Sequence, residues 1–267
     1  MDTVAAPDLT TARAQVLLAV ADDALVSGHR SSHWTGVAPS LEEDLAFSTI
    51  AQDGINHADL WYQLLVASDD DVRAGVDALG LGREPEAYRH AILCERPPRD
   101  FAFTLARHWA FERFDAVRLD ALSASSDPDV AAVATKLLHE IRYHLEHADH
   151  WFTRLSHAGD EPHARFGEAL GEALPEALGL FEAVPDEAEA VDAGLFPTGH
   201  PGLRDRWLEV IEPVLRHADY GAVVPAAGAT VPVSAAGGRQ GRHSPDFTDD
   251  VWPEMTALYR SHPGARW

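Results

Sequence analysis

The chain has 267 residues, of which 46% are hydrophobic and 24% are charged, values that exclude wholesale disorder and a fibrous architecture. Its 43 acidic and 21 basic residues give a formal net charge of -22, which repels phosphate backbones and anionic lipids and argues against nucleic acid or a membrane as partner. A single cysteine, Cys94, excludes an internal disulfide and a cysteine-rich metal site. The sequence shows no signal peptide and no run of about 18 apolar residues, so we expect a cytoplasmic protein.

Apolar residues recur at steps of three and four, whereas alternating strand patterns are nearly absent before residue 220, so the sequence predicts an all-α protein. The long helices are predicted from about Thr10 to Arg30, Ser40 to Ser68, Asp100 to Ser123 and Asp127 to His157, with a shorter helical stretch at about 70–91. Ser40, Asp100 and Asp127 are suited to cap helix N-termini, and Pro128 suits a first helical position. The first helix is expected to stop in the polar segment SGHRSSHWTG, where Gly28 and Gly36 weaken helical continuation.

The second half of the chain predicts additional elements around this helical core. Two flanking helices are expected near 163–184 and 202–218, with Pro175 and Pro213 as kink points. A Gly-, Ala-, Pro- and Val-rich stretch at 220–245 predicts an extended arm, which either drapes over a neighbouring subunit or folds back on its own chain. A last helix is predicted at about 247–261. No linker divides the chain, so we predict a single domain, 1–267, with its core at about 10–157, flanking helices at about 163–218, and the arm and last helix at about 220–267.

Carboxylates and histidines share the apolar faces of the four long helices. Helical spacing predicts these inward positions: Asp22, Asp53, His57, Glu112, Glu140 and His144. On the first helix, a stripe through Leu17, Ala21 and Ala24 is an equally regular alternative to the one that contains Asp22. Because an unpaired carboxylate in a low-dielectric interior carries a large desolvation penalty, these residues require partners or a metal.

Their order along the chain is that of the carboxylate-bridged di-iron site of a ferritin-like four-helix bundle. The spacing differs, because each histidine follows its carboxylate by four residues, while Asn56 and Tyr143 occupy the third positions. A three-residue step turns back by about 60° and a four-residue step overshoots by about 40°, so the imidazoles approach from the opposite flank. We therefore favour a buried polar network over an autonomous di-iron oxygenase or oxidase, which is the alternative. An iron-storage protein is disfavoured by the same spacing and by the C-terminal arm.

Several segments together resemble one family, the C subunits of bacterial ring-1,2-phenylacetyl-CoA epoxidase. They are ADDALVSGHRSSHW, LEEDLAFSTIAQDGINHADL, FAFTLARHWAFERFD, KLLHEIRYHLEHADHWFTRL and the C-terminal GGRQGRHSPDFTDDVWPEMTALYRSHPGARW, which ends at Trp267. The likeness spans nearly the whole chain. Where the family tends to Gln and Arg, this chain has His57 and Asp59, so it is slightly richer in possible metal ligands.

The resemblance implies a ferritin-like structural subunit with a degenerate metal site at Asp22, Asp53, Glu112, Glu140 and His144. It implies no cofactor in this chain and a di-iron centre in a related catalytic subunit, the partner in a hetero-oligomer with other epoxidase components. The implied activity of that complex is the epoxidation of the ring of phenylacetyl-CoA with oxygen and reducing equivalents from a reductase. This would be a component of aerobic phenylacetate catabolism.

Three further features carry weaker interpretations. Arg239, Arg242 and His243 form a small basic island that could contact a CoA phosphate or an acidic partner, although a solvated turn explains it equally well. His147 and His150 have a three-residue ligand spacing, for which surface histidines are the simpler interpretation. Trp109, Trp151 and Trp207 are predicted to belong to the core.

Overall fold

The computed structural model describes residues 8–66, 71–226, 228–263 and 265, and regular secondary structure within them is entirely helical. This confirms the predicted all-α class and is consistent with a ferritin-like fold. In chain order the α-helices are α1 (Ala12–Ser32), α2 (Leu41–Gln63), α3 (Val72–Leu81), α4 (Ile92–Glu95), α5 (Phe101–Ser123), α6 (Pro128–Glu140), α7 (Arg142–His157), α8 (Asp160–Ala177), α9 (Glu187–Asp192), α10 (Gly199–His217) and α11 (Trp252–Ser261). Short 3-10 turns and a π-helical turn at Asp246–Val251 lie between them. None of the described helices combines the length and apolar character needed to cross a membrane.

The predicted caps begin the long helices. The side chains of Ser40, Asp100 and Asp127 accept hydrogen bonds from backbone N–H groups in the first turns of α2, α5 and α6, because those groups have no partner within the helix. Pro128 occupies the first position of α6, as predicted. The predicted helix end at Ser68, the residues 67–70 and Trp267 lie outside the described residues.

The predicted fourth helix is two helices, which corrects the expectation of one helix from Asp127 to His157. α6 ends at Glu140 and α7 begins at Arg142. Ile141 between them has a ψ of -5°, far from the usual helical value of about -42°, yet its N–H still donates to the carbonyl of Leu137 at 2.9 Å. The backbone therefore departs from helical geometry at Ile141, while the N–H and the carbonyl of this residue keep their hydrogen bonds to Leu137 and Leu145.

The chain folds into two compact units, each of which is discontinuous in sequence. The first unit consists of Met1–Pro97, Val184–Ala190 and Gly237–Trp267, and the second consists of Pro98–Ala183 and Val191–Ala236. The first unit thus brings α1 to α4 together with α11, and the second contains α5 to α8 and α10.

In the first unit, α1 packs closely against α2. The backbones approach at Gly28 and Gly54, where an added Cβ on Gly54 would lie 3.0 Å from the carbonyl oxygen of Ala24 and 3.1 Å from the Cα of Gly28. Gly28 lies inside α1, which ends at Ser32, close to the predicted end at about Arg30. Its function is to let two helices pack at close range.

In the second unit, α5 is the central helix and packs against α6, α7, α8 and α10. The indole of Trp109 stacks on Phe152 with ring centroids 4.6 Å apart, and the indole N–H of Trp207 donates to the carbonyl of Ala110 at 3.2 Å. Both tryptophans are fully buried, as predicted, whereas Trp151 is only half-buried.

The predicted extended arm is divided between the two units. Its first part folds back on the second unit, where Tyr220 stacks on His163 at 4.4 Å and donates to its backbone carbonyl at 3.1 Å. Its last part belongs to the first unit, where Gly238 and Gly241 lie against the backbone carbonyls of His90 and Glu86. Of the two alternatives for the arm, folding back on its own chain is therefore the one observed in these described residues.

Candidate metal centre and buried ion pairs

Asp22, the predicted carboxylate of α1, is fully buried and accepts four hydrogen bonds. The Tyr62 hydroxyl donates at 2.5 Å, the backbone N–H of Arg89 donates at 2.6 Å, and both terminal nitrogens of Arg83 donate to the carboxylate. Burial and the charge of Asp22 raise the pKa of Tyr62 well above its ordinary value, so the phenol keeps its proton. Because an ionised carboxylate offers about four acceptor sites, the chain itself fills those of Asp22.

Asp23, the next residue, is also fully buried and is held by the C-terminal segment. Arg239 donates to both of its oxygens at 2.8 Å, in the bidentate geometry that is the strongest form of this pair. The backbone N–H of Ala91 donates to the same carboxylate at 2.9 Å. Neither Asp23 nor Arg239 has any exposed surface, so this is a fully desolvated ion pair.

A third buried carboxylate, Glu95, binds two imidazoles and a backbone amide. His90 Nε2 and His243 Nδ1 lie 2.7 and 3.1 Å from its Oε2, and the N–H of Ser244 donates to its Oε1 at 2.7 Å. Although burial acts to raise the pKa of Glu95, the hydrogen bonds from His243 and His90 outweigh it and lower the pKa to about 2. Burial, together with the neighbouring His243, lowers the pKa of His90 to about 4.

The remaining predicted positions of the first unit lie on α2. The side chain of His57 is buried, with 5% of its surface exposed, and Asp53 is half-buried.

In the second unit, Glu112 lies between two buried histidines. His108 Nδ1 is 3.5 Å from one carboxylate oxygen of Glu112, and His144 Nδ1 is 3.5 Å from the other. Burial, with the neighbouring His147, His144 and Arg107, lowers the pKa of His108 well below its ordinary value, so this imidazole is neutral at pH 7. His108 was not predicted, and it completes a buried polar cluster around Glu112.

Glu140 was predicted to face inward, and the structure corrects this. Its side chain is 42% exposed and lies 3.2 Å from Lys136 one turn earlier on α6. The buried positions here run Leu137, Ile141, His144, so the inward stripe passes through Ile141 instead of Glu140. Both stripes have helical spacing, and the sequence alone did not distinguish them.

These residues do not fit a di-iron site. Such a site needs carboxylate oxygens with open lone pairs, whereas those of Asp22 already accept four hydrogen bonds and lie against the positive charge of Arg83. Glu140, which would supply another ligand, points to solvent. The carboxylates of Asp22 and Glu140 instead contact Arg83 and Lys136 of the same chain.

The predicted basic island is divided between interior and surface. Arg239 and the His243 side chain are buried and pair with Asp23 and Glu95, whereas Arg242 is exposed. A contact of this segment with CoA or a partner stays a prediction, and in the present arrangement Arg242 is its accessible cation.

Several residues of these buried groups, among them Asp23, Glu95, Arg83 and His90, were not predicted from the sequence. The sequence analysis placed one inward stripe on α1, through Asp22 or through Leu17, Ala21 and Ala24, but α1 is buried on every side from Ala14 to Asp23. The glycines around Arg239 are the sequence feature that could have indicated a buried position for this segment. They allow residues 238–241 to approach the backbone of residues 86–92 closely.

Comparison with known proteins places this all-helical chain in a family. The sequence model of the phenylacetic acid catabolic proteins matches residues 2–267, so the chain belongs to that family. A curated relative is the C subunit of the 1,2-phenylacetyl-CoA epoxidase of Escherichia coli (strain K12), which is 29% identical over 259 residues. The alignment covers 94% of this chain and 97% of that relative, and it confirms the resemblance drawn from the sequence motifs.

Proposed function

We propose that this chain is a non-catalytic structural subunit of a bacterial phenylacetyl-CoA epoxidase in aerobic phenylacetate catabolism. In this proposal it forms a cytoplasmic hetero-oligomer with a related catalytic subunit, which holds the di-iron centre, and it has no cofactor of its own. The observation that carries the proposal is the state of Asp22, whose oxygens accept hydrogen bonds from Tyr62, Arg83 and Arg89. The family match and the whole-length likeness to an epoxidase subunit support it.

Exposed apolar residues on the first unit support a protein partner. Leu41 and Leu45 are 71% and 62% exposed, and they are one turn apart on α2, so they share one face of the helix. Val37 and Ile55 of the same unit are 67% and 45% exposed. Exposed apolar patches commonly mark protein interfaces, and we propose the face of Leu41 and Leu45 as the contact with the catalytic subunit.

Co-expression with the catalytic subunit tests the assembly. We expect the two chains to co-elute in size-exclusion chromatography, and the substitution of Leu41 and Leu45 by Glu to separate them, because it buries two charges in the contact. A matched control is Val233→Glu, which changes a side chain that is 95% exposed on the second unit. Separate elution of the unsubstituted chains would refute the structural role.

Elemental analysis tests the absence of a catalytic centre. Chain purified alone from iron-rich medium is expected to contain far less than one iron per chain, whereas the catalytic subunit should contain close to two.

A second candidate function, an autonomous di-iron oxygenase, is favoured by one observation, the buried cluster of Glu112, His108 and His144. It predicts two irons per chain and a loss of iron on Glu112→Gln. That result would replace the structural proposal with the second one.

A further inference from the structure

Two histidines and a glutamate meet at the end of α1, away from the groups discussed above. His29 and His33 are one turn apart, and Glu254 comes from α11 in the same unit. The Nε2 atoms of His29 and His33 lie 3.4 and 3.2 Å from the same Oε2 of Glu254, and the three possible ligand atoms all lie within 4.8 Å of one another. Two ligands at about 2.0 Å from a tetrahedral zinc ion are separated by about 3.3 Å, which matches the two histidine-to-glutamate distances.

The hydrogen bonding of these atoms differs from that of the other cluster of this composition. In the cluster of His90, Glu95 and His243, Nε2 of His90 and both ring nitrogens of His243 make hydrogen bonds. At the end of α1, both Nε2 atoms are buried and face Oε2 of Glu254 without the alignment of a hydrogen bond. A buried nitrogen of this kind is costly unless something binds it.

The electrostatic surroundings favour a cation at this position. The last turn of a helix carries a partial negative charge, and His29 lies in the last turn of α1. The adjacent Arg30 does not oppose a cation strongly, because its guanidinium pairs with Asp250 at 2.7 Å.

The site is also accessible from solvent. The side chains of His29, His33 and Glu254 are 17%, 23% and 57% exposed, so an ion can enter without unfolding of the chain. A single water molecule can occupy a fourth position on the open side.

We propose that His29, His33 and Glu254 bind one divalent transition-metal ion of the zinc class, with water as the fourth ligand. The ion would join the end of α1 to α11 and so fasten the C-terminal helix to the N-terminal one. The proposal does not depend on the epoxidase function, because none of these residues is part of the carboxylate–histidine groups described above.

Calorimetric titration of the untagged, metal-stripped full chain with Zn²⁺ tests the site. We expect one ion per chain and a rise in the thermal midpoint when it binds. His33→Ala and Glu254→Gln should each weaken binding by at least about tenfold, because even residues that only support metal ligands typically contribute 10- to 100-fold. With Co²⁺ as the probe, the unsubstituted chain should show the visible absorption of a tetrahedral complex.

His150→Ala is the matched control. It removes an exposed histidine of α7 that also has a neighbour at helical spacing, His147, and it should leave Zn²⁺ affinity unchanged. Circular dichroism verifies that each variant is folded. Affinity equal to that of the unsubstituted chain in either His33→Ala or Glu254→Gln would overturn the proposal, as would the absence of binding at one ion per chain.

Discussion

Several buried charges among the described residues occur in pairs, and neither member of the pair Asp23 and Arg239 has exposed surface. Removing one partner from such a pair leaves an uncompensated charge, whereas replacing both by apolar residues of similar volume is often neutral. We therefore expect a large loss of stability from a substitution of one member of the pair and a small loss from a matched substitution of both.

Arg239→Ala should lower the free energy of unfolding by about 3–5 kcal/mol, because it leaves Asp23 buried and unpaired. The double substitution of Asp23 by Leu and Arg239 by Met should recover most of this loss. Urea unfolding measures both. Arg206→Ala is the control, since its pair with Asp120 is exposed and should contribute at most about 1 kcal/mol. Equal losses from Arg239→Ala and Arg206→Ala would contradict this account.

The cluster of His90 and Glu95 predicts loss of stability in acid. The pKa of His90 is about 4 in the folded chain and 6.5 ordinarily, so between these values the unfolded chain binds a proton that the folded chain does not. The free energy of unfolding therefore falls as the pH decreases from about 6.5 to 4, by about 3 kcal/mol from this group. Glu95 acts in the same direction at lower pH, since its stabilisation is complete above pH 4.5 and is lost as the pH falls toward its pKa of about 2.

Thermal midpoints measured from about pH 7 to pH 4 test this dependence. His90→Gln should show a shallower decrease over that window than the unsubstituted chain. His157→Gln, which changes an exposed histidine, should not alter the slope. A parallel decrease in His90→Gln would show that other groups control acid stability.

At the scale of single helices, periodicity located the elements better than it oriented them. The caps at Ser40, Asp100 and Asp127 were predicted because capping depends on a few adjacent residues. The orientation of α1 could not be predicted in this way. A helix with ten consecutive buried residues has no polar face that identifies its inward side. The inward stripe of α6 and α7 passes through Ile141 and not through Glu140, and both positions have helical spacing.

Close packing of α1 on α2 gives a prediction for this scale. Gly54→Ala should destabilise the chain by about 1–3 kcal/mol, because the new methyl group would press on the backbone of Ala24 and Gly28. Gly171→Ala, inside α8, is the control: its Cβ would meet only the side chain of Val223 at 3.5 Å. That change should stabilise the helix by about 0.5–1 kcal/mol. Chemical denaturation would measure both, and stabilisation by Gly54→Ala would refute the packing argument.

At the scale of the whole chain, composition and motifs predicted the all-α class and the family. The division into two discontinuous units was not predicted, because it depends on contacts between residues far apart in sequence. The partners of the buried carboxylates were not predicted either, because they too lie far away in the sequence. Asp22 pairs with Arg83 across 61 positions, and no spacing rule connects them.

The link between Asp23 and Arg239 also sets an order of events during synthesis. These residues are 216 positions apart, so a ribosome adding about 5–20 residues per second makes the second one roughly 10–40 s after the first. The second unit, which ends at Ala236, is fully translated before Arg239 is made. During this interval Asp23 on α1 has no access to Arg239, the cation with which it pairs in the folded chain. The first unit, which begins first, is therefore completed last.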